Sequence, residues 1–195
     1  MLDGNFSSNN KVWAAGVSGG LWSITNIENG SSEWTKVSDF WDTLNITSVA
    51  TDPTDANIIY IGTGEKRGMG LKGFGVWKTS DGGSTWNQLS SSTGFKWIDT
   101  IIVRDEGGVG AVYVGGGRSL SEGEYTGING LQKSTDGGAT WTEVLGEIAA
   151  GSSHHVTDLE IDSNNRLIVG TRTNTFGDGG GQIFYSDDGA VFSPY

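Results

Sequence analysis

An eight-residue motif recurs along this chain, and it constrains the fold more than any other feature. Residues 79–86 read Thr-Ser-Asp-Gly-Gly-Ser-Thr-Trp, and residues 134–141 read Ser-Thr-Asp-Gly-Gly-Ala-Thr-Trp. Residues 185–192, Tyr-Ser-Asp-Asp-Gly-Ala-Val-Phe, form a third and less regular copy, in which Asp187 is aligned with Asp81 and Asp136. Residues 23–34 form a fourth copy, which is longer and lacks the central Asp. A motif repeated about every 50 residues is typical of a repeat protein.

The motif has the chemistry of a tight turn between two strands. Its Asp carboxylate can accept hydrogen bonds from the backbone N–H groups that follow it, and its Gly pair allows positive φ angles. The final Trp buries a large apolar area against a neighbouring layer. Each regular copy follows an apolar run, so we expect a β-hairpin in which the Trp opens the return strand. The residues expected to have this structural role are Thr79, Asp81, Gly83, Trp86, Ser134, Asp136, Gly138, Trp141, Asp187, Gly189 and Phe192.

These residues resemble the Asp-box, or bacterial neuraminidase repeat, family of β-propellers. Residues 52–65, Asp-Pro-Thr-Asp-Ala-Asn-Ile-Ile-Tyr-Ile-Gly-Thr-Gly-Glu, also resemble secreted propellers related to sortilins and to xyloglucanases. The resemblance implies four-stranded antiparallel blades in which the motif is a structural turn between the third and fourth strands. It therefore favours a structural role for the three aligned Asp residues over a catalytic one.

The chain is predicted to be all-β and to form a single β-propeller segment over residues 1–195. Short apolar runs divide it into four units, of about residues 1–37, 38–90, 91–145 and 146–195. Two of them are expected to be partial blades: the first lacks a first strand unless residues 2–8 supply it, and the last breaks off in its fourth strand. An open propeller exposes strand edges and interblade surface. The remaining blades of a parent chain, or another subunit, are therefore expected partners.

The composition argues against two classes of partner. Lys and Arg total 12 against 23 Asp and Glu, which gives a net charge of −11 and opposes binding to nucleic acid or to anionic membranes. No run of 18 apolar residues exists, so no membrane insertion is expected. Met1–Gly4 does not have the character of a signal peptide, so secretion requires a signal that was removed or lies upstream.

No cofactor and no metal site are predicted. His154 and His155 are the two histidines of the chain, and it has no cysteine. Adjacent residues of a strand point to opposite faces, and a complete metal site normally needs three or more ligands. This pair is therefore not expected to bind a metal ion together.

The long segments between strands are expected to gather at the end of the propeller opposite the motif turns. They are residues 61–75, 114–130 and 169–181, together with the interblade segments near Trp41, Trp97 and His154. Loops of this length are often functional. The candidate ligand-binding residues there are Trp41, Asp42, Glu65, Arg67, Trp97, Arg118, Tyr125, His154, His155 and Asp158. Trp41 and Trp97 have two interpretations: they stack on sugar rings, or they plug the top of the central channel.

No catalytic residue is assigned. Sialidases of the resembled family carry an arginine triad and an Arg-Ile-Pro signature, whereas this chain has five Arg and neither of its two Pro follows an Arg-Ile pair. Xyloglucanase-type enzymes use two carboxylates, and their base lies in a Thr-Asp-x-Gly-Gly setting after a strand like Ile58–Ile61. Here that place reads Gly62-Thr63-Gly64-Glu65, and Glu65 has the wrong spacing for the base.

The sequence therefore favours a non-catalytic, secreted or cell-surface module that presents its loop-rich face to a glycan or a protein. The alternative is a fragment of a secreted glycoside hydrolase, xyloglucanase-like or sialidase-like. The two differ in whether a second carboxylate faces Glu65 or Asp158 across the channel.

Overall fold

The computed structural model describes residues 1–38, 41, 43–65, 71–121, 124–128, 130–149 and 151–195, with the backbone alone for residues 119–121 and 124–126. This part of the chain is all-β apart from one turn of α-helix, α1 (Phe6–Asn9), and one turn of 3-10 helix (Ser90–Ser92). Within these residues, no helix has the length and apolar character needed to cross a membrane.

The strands form four consecutive antiparallel sheets, which we call blades 1 to 4. Blade 1 contains β1 (Val12–Gly16), β2 (Gly20–Ile24) and β3 (Thr35–Lys36). Blade 2 contains β4 (Ile46–Asp52), β5 (Asp55–Thr63), β6 (Val76–Thr79) and β7 (Asn87–Gln88). Blade 3 contains β8 (Ile98–Asp105), β9 (Gly110–Gly116), β12 (Leu131–Ser134) and β13 (Thr142–Glu143), with a separate hairpin of β10 (Arg118–Ser121) and β11 (Glu124–Gly127) inserted after β9. Blade 4 contains β14 (His155–Ile161), β15 (Leu167–Arg172), β16 (Ile183–Ser186) and β17 (Ser193–Pro194).

The predicted all-β architecture of propeller blades is confirmed. Blade 4 differs from the prediction, whereas blade 1 is a partial blade, as expected. Blade 4 is not partial, because its fourth strand pairs with β16 and is as short as the fourth strands of blades 2 and 3. Residues 2–8 do not supply a first strand to blade 1. Leu2 makes one bridge to Val12 and the chain then enters α1.

The strand registers show which segments lie at each of the two ends of the blades. Ile46 pairs with Thr63, Ile98 with Gly116 and His155 with Arg172, so the first strands of blades 2 to 4 begin at one end, the loop-rich end. The third strands finish at the opposite end, which we call the turn end. Trp97 and His154 immediately precede first strands and therefore belong by topology to the loop-rich end, as the strand count predicts. Trp41 differs from the prediction, because its ring contacts Trp86, which closes a motif turn at the opposite end.

The apolar core consists of three clusters, each between consecutive blades. Trp13 and Leu21 of blade 1 pack on Ile59 and Ile61 of blade 2. Tyr60 and Val76 of blade 2 pack on blade 3, and Tyr113 and Leu131 of blade 3 pack on blade 4. The first strands β4, β8 and β14 lie side by side. Within the described residues, no comparable packing joins blade 1 to blade 4.

Candidate functional site at the loop-rich end

The carboxylates of the repeated motif are fully engaged in their own turns. Asp136 Oδ1 accepts hydrogen bonds from Ser134 Oγ at 2.8 Å and Thr140 N at 2.9 Å, and its Oδ2 accepts one from Thr140 Oγ1 at 2.6 Å. Asp81 repeats this pattern with Thr79 and Thr85. Hydrogen bonds from the Thr85 hydroxyl and backbone lower the pKa of Asp81 to about 2. These groups build turns and are not available for substrate.

The third copy of the motif has a different register from the predicted one. The turn carboxylate is Asp188, whose Oδ1 accepts hydrogen bonds from Ala190 N and Val191 N at 2.8 Å. Ser186 supplies the leading hydroxyl, which donates to Asp188 and accepts from Gly189 N. Asp187 instead pairs with Arg166, Nε to Oδ1 at 2.7 Å. The assignment of Asp187 was wrong because this turn is one residue shorter, so alignment on its final Phe shifts the Asp by one position.

Each turn is also held by a lysine of the preceding blade. The ammonium groups of Lys11, Lys78 and Lys133 donate to the carbonyl oxygens of Gly82, Gly137 and Gly189, at 3.0, 3.2 and 3.3 Å. Each accepting glycine directly follows a turn Asp. The same three ammonium groups lie over the rings of Trp13, Tyr60 and Tyr113. We call this arrangement the interblade lysine contact. The sequence signal for it was a Lys immediately before the hydroxyl residue of two turns.

The Trp residues that close the turns lie between blades, but they are half-buried rather than fully buried. The Trp86 ring meets Trp13 of blade 1 edge-on at 5.9 Å. Trp141 meets Phe95 at 5.5 Å, and its Nε1 donates to Ser91 Oγ at 3.1 Å. Both positions lie at the outer edge of the blade, where a preceding blade covers one face of the indole and solvent reaches the other.

Neither tryptophan predicted at the loop-rich end offers a free ring face. Trp97 is buried, with its Nε1 lacking a hydrogen-bond partner. Trp41 is half-buried and stacks on Trp77, with 4.7 Å between ring centroids, while it meets Trp86 edge-on. The burial of Trp97 argues against its proposed role in stacking on sugars. Gly127, at the end of the inserted hairpin of blade 3, approaches the indole closely.

The two histidines point to opposite sides, as expected for neighbours on an extended segment. His155 is buried, and its Nε2 lies 2.6 Å from Asp99 Oδ2 of blade 3 and 3.3 Å from an Arg172 nitrogen. His154 packs edge-on against Phe184 at 4.9 Å, and burial lowers its pKa. The cluster of Asp99, His155 and Arg172 joins the first strands of blades 3 and 4 at the loop-rich end.

The other candidate residues lie apart from this cluster. Glu65 is half-buried next to a backbone bridge with Leu71, and Asp158 is exposed and accepts a hydrogen bond from Leu159 N. Asp42, Arg67 and the side chain of Tyr125 lie outside the described residues. Within the described part of the chain, no group of three His, Cys, Asp or Glu side chains could hold a metal ion.

Two exposed aromatic rings at the loop-rich end were missed by the sequence analysis. Phe74 precedes the third strand of blade 2 and is 37 % exposed, with Lys96 Nζ 5.8 Å from its ring. Phe176 lies between the second and third strands of blade 4 and is 45 % exposed, with the Arg118 guanidinium 6.0 Å from its ring. Their signal in the sequence is no more than an aromatic residue in a glycine-rich segment.

A cleft of about 420 Å³ separates the outer strands of blades 3 and 4. Polar and apolar groups contribute about equally to its walls, which consist of Val144, Leu145, Gly146, Glu147, His154, Phe184, Ala190, Val191 and Phe192. Phe192 closes the third turn, where the first two turns have Trp86 and Trp141. The cleft therefore lies at the place that a larger indole fills in the other blades.

Comparisons with known proteins place the fold among propeller enzymes. No protein-family model matches the chain. The xyloglucanase Xgh74A of Acetivibrio thermocellus is 34 % identical over 142 residues, which is 67 % of this chain and 15 % of that protein. A xyloglucanase of Paenibacillus sp is 29 % identical over 129 residues, which is 55 % of this chain and 11 % of that protein.

Among solved structures, an ancestral GH74 enzyme superposes with a TM-score of 0.60 at 19 % identity, covering 94 % of this chain and 25 % of that one. The extracellular domain of a hybrid two-component system from B. thetaiotaomicron superposes with a TM-score of 0.57 at 14 % identity, covering 94 % of this chain and 20 % of that one. Both likenesses establish the propeller fold.

The fold and these comparisons define the class: four antiparallel blades of a β-propeller. Within that class the chain is similar in sequence to xyloglucanases of the GH74 type over up to two thirds of its length. The matched segment spans between 11 % and 15 % of the length of these two curated relatives.

Proposed function

We propose that this chain is a propeller segment of an extracellular, xyloglucanase-like glycoside hydrolase, and that its loop-rich end contacts a polysaccharide. The observation that carries the proposal is the 34 % identity to the xyloglucanase Xgh74A over 142 residues. Of the two interpretations from sequence, this similarity supports the hydrolase fragment. The binding role then becomes the part that these four blades play within such an enzyme.

The chemistry of the loop-rich end suits a neutral sugar chain. Exposed aromatic rings cover the apolar faces of sugars, and neighbouring charged groups hydrogen-bond to hydroxyls. Phe74 with Lys96 on blade 2 and Phe176 with Arg118 on blades 3 and 4 provide this combination twice. Asp99 and Arg172, which lie beside the buried His155, add further polar groups at the same end of the propeller.

Hydrolysis requires an acid and a base on either side of one glycosidic bond. At the loop-rich end, Asp99 is held by His155, and Glu65 is half-buried and makes a backbone bridge to Leu71. We therefore assign substrate contacts to this segment and no complete catalytic pair. A parent enzyme would provide that pair together with its further blades.

The test is a panel of polysaccharides and oligosaccharides, including xyloglucan, measured for binding by calorimetry and for turnover by release of reducing ends. We expect xyloglucan to bind without turnover. Phe74→Ala and Phe176→Ala should each weaken binding by about tenfold, the loss of one aromatic contact. Val109→Ala, at an exposed position of the turn end, is the matched control and should bind as the parent does.

Two results would change this assignment. Xyloglucan binding that is absent, or that Phe74→Ala and Phe176→Ala leave intact, contradicts a polysaccharide-binding loop-rich end. Turnover in the parent chain that disappears in Glu65→Gln would show that the segment contains a working catalytic carboxylate.

A further inference from the structure

The first strands of blades 2, 3 and 4 carry a β-bulge at the same place. Near the start of each strand the register skips one residue, and the skipped residues are Thr47, Asp99 and Thr157. In each blade the residue after the bulge pairs with a glycine of the second strand, so the three positions are equivalent. Bulges re-aim side chains and are frequent next to functional sites.

In two of these blades the bulge residue has a structural hydrogen bond. Thr47 Oγ1 donates to Gly62 O at 3.1 Å, and Thr157 Oγ1 donates to Gly170 O at 3.3 Å. The Thr47 hydroxyl also lies within hydrogen-bond distance of the Ile98 carbonyl of blade 3. A threonine therefore closes the bulge on its own second strand and, in blade 2, reaches the next blade as well.

Blade 3 departs from this pattern, because its bulge residue is Asp99. A carboxylate has no hydrogen to donate, so it cannot make the bond to a second-strand carbonyl that a threonine makes. Its Oδ2 instead lies 2.6 Å from His155 Nε2 of blade 4. Since blade 2 reaches blade 3 through a threonine at the same position, an ion pair is not needed here to join neighbouring blades.

One oxygen of Asp99 remains available after the contact with His155. The side chain of Asp99 is 21 % exposed, whereas that of His155 is 1 % exposed. Within the described part of the chain, no group donates a hydrogen bond to Asp99 Oδ1. Asp99 lies on β8, the middle one of the three first strands that lie side by side. A buried imidazole thus holds one carboxylate oxygen, and the other can accept a hydrogen bond from a ligand.

The groups around Asp99 suit a ligand that carries hydroxyl groups. An Arg172 nitrogen lies 3.3 Å from His155 Nε2, so the guanidinium and the carboxylate approach the same imidazole nitrogen. β15 ends at Arg172, and the segment that follows it carries the exposed ring of Phe176. An acceptor, a donor and an apolar ring at one end of the blades are groups that sugar-binding sites combine.

We propose that Asp99 is the specificity-determining residue of the loop-rich end. Its Oδ1 accepts hydrogen bonds from the hydroxyl groups of a neutral sugar, and its negative charge disfavours a sugar that carries a carboxylate. The bulge and His155 hold the carboxylate in place before the ligand arrives, which lowers the entropic cost of binding. This inference rests on the proposed binding of a polysaccharide and names the residue that selects among polysaccharides.

Calorimetry with two probes tests the proposal on the full chain. The probes are a xyloglucan oligosaccharide and the same oligosaccharide with its primary hydroxyls oxidised to carboxylates. We expect the parent to prefer the neutral probe. Asp99→Asn keeps the shape of the side chain and an acceptor for His155 but removes the charge. It should weaken binding of the neutral probe by about tenfold, the loss of one charge-assisted hydrogen bond, and reduce the preference for it.

Asp105→Asn is the matched control. Asp105 is the last residue of β8 and is exposed at the turn end, so this variant removes the same charge from the other end of the same strand. It should keep both affinities. Circular dichroism checks that both variants fold as the parent does.

The results distinguish this proposal from the one on which it rests. If Asp99→Asn leaves the preference unchanged while Phe74→Ala and Phe176→Ala still weaken binding, the role of Asp99 is overturned and polysaccharide binding stands. Equal weakening for both probes also overturns it, because that result indicates a structural role alone. So does an equal change of preference in Asp105→Asn, which would reflect net charge. A parent chain that binds neither probe contradicts both proposals.

Discussion

At the scale of the residue, the repeated carboxylates explain why conspicuous acidic residues need not be catalytic. Asp136 accepts hydrogen bonds from two hydroxyl groups and one backbone N–H within its own turn. These donors favour the ionised carboxylate and lower its pKa. A general acid would need the opposite shift, toward neutral pH.

The turns should make the protein sensitive to acid. The pKa of Asp81 and that of Asp188 fall from an ordinary value of 3.8 to about 2 in the folded chain. A lowered folded pKa contributes stability that is present above 3.8 and is lost as the pH falls toward about 2. We expect the melting temperature to decrease through this window, and Asp81→Asn, which cannot ionise, to flatten the decrease. An equal pH dependence in parent and variant would contradict the role of this carboxylate.

The register of the third turn can be tested with two neighbouring substitutions. Asp188→Ala removes the acceptor of the Ala190 and Val191 N–H groups. The loss of these hydrogen bonds should lower the melting temperature by several degrees. Asp187→Ala removes an exposed ion pair with Arg166, and should lower it by much less. A larger loss for Asp187→Ala than for Asp188→Ala would support the original alignment.

At the scale of the element, the sequence predicted what is encoded locally. Apolar runs of four to seven residues and the turn motif mark the strands of each blade, because both signals lie within one hairpin. The hairpin β10–β11 was missed, since Arg118–Ser121 and Glu124–Gly127 contain few apolar residues and lie in an expected loop. The contact of Asp99 with His155 joins residues 56 positions apart. Only the packing of blade 3 against blade 4 brings them together, so no local pattern encodes it.

The burial of Trp97 has the same explanation. Its place before the first strand of blade 3 was predictable, and so was its end of the propeller. Whether its ring faces solvent depends on tertiary packing, which brings Gly127 of the inserted hairpin against the indole. The partial exposure of Phe74 and Phe176 is likewise a property of tertiary packing, which no local pattern encodes.

The cleft between blades 3 and 4 predicts a stabilising substitution. Phe192→Trp places an indole where Trp86 and Trp141 stand in the other turns, next to the cleft of about 420 Å³. Filling it should raise the free energy of unfolding by about 1 kcal/mol. Phe192→Leu, the matched control that leaves more space, should lower it by about 1 kcal/mol. Chemical denaturation measures both, and a destabilised Phe192→Trp would mean that the cleft cannot accept an indole.

At the scale of the whole molecule, the four blades form an arc in which each interface repeats the previous one. Apolar clusters between consecutive blades and the interblade lysine contact recur from blade to blade. The net charge of −11 makes the surface of this array strongly acidic. From its strand count, the sequence predicted a propeller segment of about four blades and left open whether the ring is closed. It could not predict which side chains of blades 1 and 4 would be exposed, because that depends on the register of the sheets.

The interblade lysine contact has a consequence for how the chain unfolds. Each turn glycine carbonyl belongs to one blade and its lysine to the blade before, so melting one turn also frees a charge in its neighbour. In an array of repeats that contact only their neighbours, the stability of each repeat depends on how many neighbours it has. Within residues 1–195, blades 2 and 3 pack against a blade on each side, and blades 1 and 4 against a blade on one side. In a hydrogen-exchange measurement, amide hydrogens in β16 and β17 should therefore exchange through local opening. Those in β5 and β9 should exchange only through global unfolding.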